Sequence, residues 1–545
     1  MRRRVLTGVV AAGLVLTALP ATATAATATP APEAAAAPGL EAAAAGAVAP
    51  IAWKACPPST LTGVPPEQHQ NFSCAHYRVP IDHDNAALGT IDISLLRRHA
   101  RQPSAKIGSL FLNPGGPGGS GLRMPISADR YLEPEVLDRF DLVGFDPRGV
   151  GASNPLRCFT TAEDADEVFA KQVVVPISRA EMSDSLASYR DYAGFCDRNA
   201  GSLLDHMSTK DVVRDLDLLR AAAGDQKLTY VGFSYGTLIG ATYANMFPKQ
   251  TRALVLDGNV DPKLRTSDGL QYDRERARGF ELSLDAYLAE CDAVGPKCAF
   301  SEGDPRQKFD EIREHLRQQP IPLPGGGQVS IHTFTNGVAG SLYNFSEFGI
   351  LAEQLQAVYD VLHPPAAQTL SAAAVPALTT AGHQGRFDVR PDTPYTSDDS
   401  YFAVNCSDKR FKHKQHKLPE IAALWEKESR TFGRAQAFAD AAACPVWPGE
   451  EDVYAGPWRA KTETPVLVIG NYYDPATQYE FSKRMADQLG NARLVSVDAF
   501  GHCILGDSQG VDDLTADYLV ELKAPAPGQV FQPDVAPFDP VLAGD

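Results

Sequence analysis

The chain has 545 residues, 44% of them hydrophobic, and a formal charge of −17. That length fits two domains, or one core carrying a large insertion. The acidity argues against nucleic acid or an anionic membrane as partner, because both demand a basic face, and it suits solubility in a secreted protein.

Met1–Arg4 is a positively charged start, Val5–Leu19 an apolar run, and Ala23-x-Ala25 a cleavage site, so residues 1–25 read as an export signal. Its removal takes the formal charge to −20, because three arginines leave with it. The apolar run is too short and too rich in Ala, Gly and Thr for a strong membrane span. The paired arginines leave a twin-arginine route open. Residues 26–50 are nearly all Ala, Pro, Thr and Gly, the composition of a disordered propeptide or linker. No later stretch is apolar for long enough to cross a bilayer, so the expected mature protein is secreted, without a span.

From there, short apolar runs alternate with helical patterns. "GTIDISLLRR" (89–98) alternates like a hairpin strand. "IGSLFLNPGG" (107–116), "FDLVGFDPRG" (140–149), "KLTYVGFSYG" (227–236) and "RALVLDGNVD" (252–261) read as buried parallel strands, as do "PVLVIGNYYD" (465–474) and "ARLVSVDAFGH" (492–502). The helix at 208–224 has a Ser208/Thr209 cap, acid at Asp211, an apolar face of Val212, Val213, Leu216 and Leu219, and a stop at Gly224. This alternation implies an α/β fold. The expected core covers residues 51–262 and 461–525, with a tail at 526–545. Between the core parts, 263–460 holds helical pieces at 279–295 and 349–363 and a loop with a short strand at 318–334, read as a cap over the sheet.

The sharpest feature is "TYVGFSYGTLIG", where Ser234 stands between Gly232 and Gly236 as a strand turns into a helix. A serine hydroxyl is a poor nucleophile unless it is held near a base and near donors for the oxyanion. A tight strand-to-helix turn does this, and the glycines avoid collisions with the neighbouring strand and helix. The Tyr235 amide and the helix dipole then face the developing charge. A second donor should come from "LNPGGPGGSG" (112–121), through Gly116. In this fold the acid and then the base follow the serine. Asp474 ends a late strand and His502 follows the last one, with one helix (Tyr479 to Leu489) and one strand between them. Asp498 is the rival acid, but it lies on the last strand itself.

Nine cysteines fit an oxidising compartment. Spacing alone does not fix their connectivity. Neighbour pairing gives 56–74, 158–196, 291–298 and 406–444, with Cys503 left over. No C-x-x-C occurs, and His413 and His416 in "KHKQHK" read as solvated surface, so neither a metal nor a cofactor is expected.

"NPGGPGGSG", "DLVGFDPRGVGAS", "GFSYGT", "GNYYDPATQYE" and "FGHC" together resemble the secreted bacterial tripeptidyl aminopeptidases, serine peptidases of the prolyl aminopeptidase branch of the α/β-hydrolases. The similarity spans roughly residues 50 to 525, and "DSYFAVNCSD" (399–408) and "ACPVWPG" (443–449) resemble the group's C-terminal region. The family's nucleophile, acid and base fall on Ser234, Asp474 and His502, and its oxyanion loop falls on Gly115–Gly118. Pro114 stands where those enzymes often carry His, and Cys503 replaces the more usual Gly after the base. The resemblance implies an α/β-hydrolase fold, a mostly parallel sheet with flanking helices and a large helical cap insertion. It also implies a secreted or cell-wall-associated monomer that releases short peptides, typically tripeptides, from free N-termini.

Such an enzyme needs a carboxylate for the substrate ammonium. Asp398, Asp399, Asp408, Glu281 and Asp285 are candidates, and the sequence does not choose among them. A secreted carboxylesterase uses the same triad and is the alternative. A catalytically dead binding protein has no need of all three residues.

Overall fold

The computed structural model describes residues 48–323, 326–364, 378, 395 and 399–539. The export signal, nearly all of the linker, and Asp398 lie outside these residues.

The strands in chain order are β1 (Phe72–Pro80), β2 (Thr90–Arg98), β3 (Gly108–Asn113), β4 (Phe140–Phe145), β5 (Leu228–Phe233), β6 (Thr251–Asp257), β7 (Ile321–Pro322), β8 (Gln328–Val329), β9 (Val466–Tyr473), β10 (Ala492–Phe500) and β11 (Val530–Phe531). Nine of them form one sheet in the order β1-β2-β4-β3-β5-β6-β9-β10-β11, and β7 with β8 makes a separate small hairpin. The β1–β2 and β2–β4 pairs are antiparallel, and every pair from β4 to β11 is parallel. This is the α/β-hydrolase architecture, with all carboxyl ends of the parallel strands at one edge.

The continuous apolar runs have a physical reason: both faces of the parallel strands are covered. On one face Phe111, Val143, Tyr230, Leu254, Leu256 and Val468 pack with Val212, Val213, Leu216 and Leu219 of the helix Thr209–Ala222. On the other, Leu110, Leu112, Leu142, Val231, Val255 and Ile469 pack with Val511, Tyr518 and Leu519 of the helix Gln509–Glu521. The period of two along each strand sorts neighbouring residues onto opposite faces. Ser208 caps the first of these helices by accepting from the Asp211 amide at 3.2 Å.

Between β6 and β9 no described residue joins the main sheet. This stretch is divided between two apolar cores. Phe280, Leu284, Tyr287, Phe309, Phe334, Phe348 and Leu355 build a core of their own, closed by Phe500. Tyr401–Cys406, Leu418, Trp425 and Trp447 instead join the core beneath the helix Thr209–Ala222. The disulfides are Cys56–Cys74, Cys158–Cys196, Cys291–Cys298 and Cys406–Cys444, and Cys503 is free. His413 is not solvated surface: it is half-buried, and Nε2 lies 2.9 Å from Ala441 O.

The loop after β4 is tied down by Arg148, whose side chain is fully buried. Its Nε and Nη2 each donate to Asp215 at 2.8 Å, a bidentate pair, and Nη1 donates to Ile81 O and His206 O. Removing Asp215 leaves the buried guanidinium with only the more distant Asp211 carboxylate, 3.9 Å from Nη1. Asp215→Ala is therefore expected to lower stability by about 3–5 kcal/mol. Urea unfolding of the two proteins side by side measures this, and a loss below about 1 kcal/mol would place the loop's anchorage elsewhere.

Candidate active site

β5 ends at Phe233 and the helix Gly236–Met246 begins after two intervening residues. Ser234 bridges them in the left-handed region at φ 54°, a strained conformation for a non-glycine residue. Three hydrogen bonds hold it there. Its amide donates to Asp257 O at 2.9 Å, while its carbonyl accepts from Thr237 N at 2.9 Å and Thr237 Oγ1 at 2.6 Å. The flanking glycines are sterically required. A Cβ on Gly232 would stand 2.5 Å from Gly236 O, and one on Gly236 2.9 Å from Asn113 O of β3.

The loop after β3 lies against this turn. Gly115 has φ 88°, and a Cβ there would approach Phe233 O to 2.3 Å and Tyr235 N to 2.9 Å. Only glycine meets both demands. Asn113 Oδ1 fixes the loop by accepting from Gly115 N at 2.9 Å. The amides of Gly116 and Tyr235 donate to none of the described residues. Both residues line, with Ser234, one cleft.

Asp474 follows β9 and is 1% exposed. Its Oδ1 accepts from Ala476 N at 2.9 Å and Thr477 N at 2.8 Å, a turn in which the side chain organises its own following backbone. His502 Nδ1 lies 2.9 Å from Oδ2 and 3.0 Å from Oδ1. With the carboxylate ionised, Nδ1 carries the proton and Nε2 is left as the acceptor. Thr477 Oγ1 donates to Asp474 Oδ2 at 3.0 Å and lies 3.3 Å from His502 Nδ1. The imidazole is held further by an edge contact with the Tyr343 ring, 5.2 Å between centroids, and by its amide donating to Tyr343 O at 2.8 Å. Asn471 Nδ2 donates to Gly501 O and Cys503 O, clamping the loop on both sides of the histidine.

The structure thus places Gly116, Ser234 and Tyr235 on one cleft and Asp474 in contact with His502, and the two groups meet through the backbone after β6. Ser234 is bonded through its amide to Asp257, and a Cβ on the next residue, Gly258, would stand 3.1 Å from the His502 ring. The rival Asp498 is exposed on β10. Sequence reasoning missed Thr477 and Asn471, although the Asp-x-x-Thr spacing is a turn signal. It also missed Asp257.

Asp257 ends β6 and is 1% exposed. Its Oδ2 accepts from Ile504 N at 2.8 Å and Leu505 N at 3.0 Å, and Oδ1 has no partner. Burial pushes its carboxyl up to about 6 against the pull of those two amides. The folded value exceeds the unfolded one, about 3.9, so the native state binds the proton more tightly. Its contribution to stability is complete below the unfolded value and is lost as pH rises through about 6. Asp257→Asn is expected to flatten the decline of the thermal midpoint between about pH 4 and pH 7. Parallel declines in variant and wild type would assign the effect to other groups.

None of the described amine-anchor candidates lines the cleft. Glu281 accepts from Thr431 and Phe432, and Asp285 pairs with Arg306. Asp399 accepts from Cys158 N, Tyr192 and Tyr395, and Asp408 from Thr209. The charged residues that do line it are Arg265 and Arg276.

Comparison with known proteins agrees with this architecture. Residues 108–292 match the alpha/beta hydrolase fold family and residues 429–531 the TAP-like protein family. Serine protease Hip1 of Mycobacterium tuberculosis is 31% identical over 84% of this chain and 86% of its own. A tripeptidyl aminopeptidase of Streptomyces coelicolor is 30% identical over 80% of this chain and 78% of its own. Carboxylesterase B of Mycobacterium tuberculosis is 29% identical over 83% and 85%. With a strained serine at the strand-to-helix turn of this sheet and relatives of this extent, the chain belongs to the tripeptidyl aminopeptidase-like serine peptidases of the α/β-hydrolase fold.

Proposed function

We propose that the protein is an exported exopeptidase that releases short peptides, of tripeptide size, from free N-termini through Ser234, His502 and Asp474. The observation that carries this is the bidentate approach of His502 to buried Asp474, beside a serine strained into a strand-to-helix turn. His502 Nε2 takes the proton as Ser234 Oγ attacks the scissile carbonyl. The Gly116 and Tyr235 amides, otherwise without acceptors, hold the oxyanion. The imidazolium, stabilised by Asp474, then gives its proton to the leaving amine, and water hydrolyses the acyl-enzyme by the same route.

The cationic cleft favours the tripeptide reading over removal of single residues. An ammonium on the first residue of a tripeptide lies about 10 Å from the scissile carbonyl in an extended chain. A single-residue product would bring it beside Arg265 and Arg276. Four disulfides support an oxidising compartment, and no described helix is long and apolar enough to cross a membrane.

The test pairs tripeptide anilides with free and N-acetylated amino termini, beside a short-chain ester, with Ser234→Ala as control. Cleavage of the free-amine peptide alone supports the reading. Equal cleavage of both peptides, or ester cleavage alone, overturns it in favour of a general hydrolase or carboxylesterase.

A further inference from the structure

We propose that the cleft beside Ser234 contains a subsite for a carboxylate of the substrate, formed by Arg276, Arg265 and Asn405, so that the enzyme prefers substrates with an acidic group next to the scissile bond. This rests on the reading of Ser234 as the nucleophile.

Three residues that line this cleft carry donors without an acceptor among the described residues. Arg265 is 4% exposed. Its Nη2 donates to Asn405 Oδ1, but its Nε has no partner. Asn405 is 1% exposed, and its Nδ2 has no partner either. Arg276, on the long helix Gly269–Val294, spends only Nε, on Ala476 O at 3.3 Å. Its two terminal nitrogens donate to no described residue. Buried donors are almost always satisfied in folded proteins, so a set of orphans on one cleft marks a place for an acceptor.

The acceptor is charged because the cleft's cations are not neutralised by contact. Neither arginine forms an ion pair among the described residues. Of the nearby acids, Asp273 and Asp440 each give one oxygen to Lys409 and keep the other without a partner among the described residues, and Asp408 accepts from Thr209 N and Oγ1; none of the three forms an ion pair with either arginine. The rings of Tyr235 and Tyr272 lie 5.7 and 5.5 Å from the Arg265 guanidinium carbon and keep it in place. A planar guanidinium with free terminal nitrogens suits a carboxylate. That carboxylate could belong to the residue on the acyl side of the scissile bond or to the leaving peptide.

Two substrate pairs separate these sources. Ala-Ala-Glu anilide against Ala-Ala-Gln anilide places the charge on the acyl side. Ala-Ala-Ala-Glu amide against Ala-Ala-Ala-Gln amide places it on the leaving side. One pair is expected to show about tenfold or greater preference in kcat/KM for the acid. Arg276→Gln should collapse that ratio toward one, and Arg276→Glu should move the preference to Lys at the same position. Labelling of Ser234 by a fluorophosphonate monitors the fold and nucleophile of each variant. Calorimetry of Ala-Ala-Glu amide and Ala-Ala-Gln amide, and of the tetrapeptide pair, on Ser234→Ala protein reads binding without turnover. Cleavage of neutral substrates with ratios near one in both pairs overturns the subsite and leaves Ser234 standing. Absence of all cleavage and labelling overturns the nucleophile, and the calorimetric ratio then decides the subsite by itself: tenfold supports it and parity overturns it.

Discussion

Ser234→Ala is expected to lower kcat on a free-amine tripeptide anilide by about 10⁶-fold, with little change in thermal midpoint. The size of the loss follows from the other parts of the site. His502 and Asp474 keep their contact without the hydroxyl, but they have no nucleophile to activate. The oxyanion amides and the cleft survive, so a residual acceleration over water of about 10³–10⁴-fold is expected to remain. The fold has little to lose. Ser234 is anchored through its backbone amide and carbonyl, and all three of those bonds survive removal of Oγ. Alanine meets the same φ of 54°, so it inherits the strain and gains no relief. Stopped assays at high enzyme concentration, after verifying that no wild-type contaminant is present, measure the loss. A drop of less than about 100-fold would mean that another group attacks the substrate.

Asp474→Asn is expected to reduce kcat by about 10⁴-fold while the protein stays folded. One Asp474 oxygen is committed to the amides of Ala476 and Thr477, and an asparagine carbonyl can keep that role. The other position then becomes an NH₂ facing His502 Nδ1. A donor there requires Nδ1 to act as the acceptor, which puts the imidazole proton on Nε2. In that tautomer the ring cannot receive a proton from Ser234. Thr477 Oγ1, 3.3 Å from Nδ1, cannot restore the original state because it carries no charge to stabilise an imidazolium. The variant should bind substrate-like peptides as tightly as wild type and lose rate alone. A loss shared equally between KM and kcat would instead point to a collapsed cleft.

The parallel strands were readable because burial on both faces leaves unbroken apolar runs ending in Gly, Asn or Asp. β1 was not, because "FSCAHYRVP" faces solvent on part of one side and mixes Cys, His and Arg into its pattern. β11 is too short to leave a signal. Ser234, Asp474 and His502 were legible for a topological reason: each follows the carboxyl end of a strand, so chain order translates into spatial order. Arg265, Arg276 and Asn405 carry no such mark. They come from three helices, two of them joined by the Arg265–Asn405 bond, and a helical pattern does not say which polar residue will meet a cleft built by distant segments. Thr477 stood in plain view, but its second bond, toward His502, exists only after 25 residues of chain have folded back. Asp257 looked like an ordinary strand end, and only packing turned it into a buried acid.

The disulfides also bear on biogenesis. Each links two cysteines that are consecutive along the chain, separated by 18, 38, 7 and 38 residues. A polypeptide oxidised from its N-terminus as it emerges on the far side of a membrane would form these bonds in order, each closing before the next thiol arrives. Vectorial oxidation then gives the native pairing with little call for an isomerase. Cys503 emerges last, when no partner remains. In the folded chain burial raises its thiol well above the usual range, which suppresses the thiolate needed for exchange. By its place in the chain and by its surroundings, the odd cysteine differs from the eight that pair.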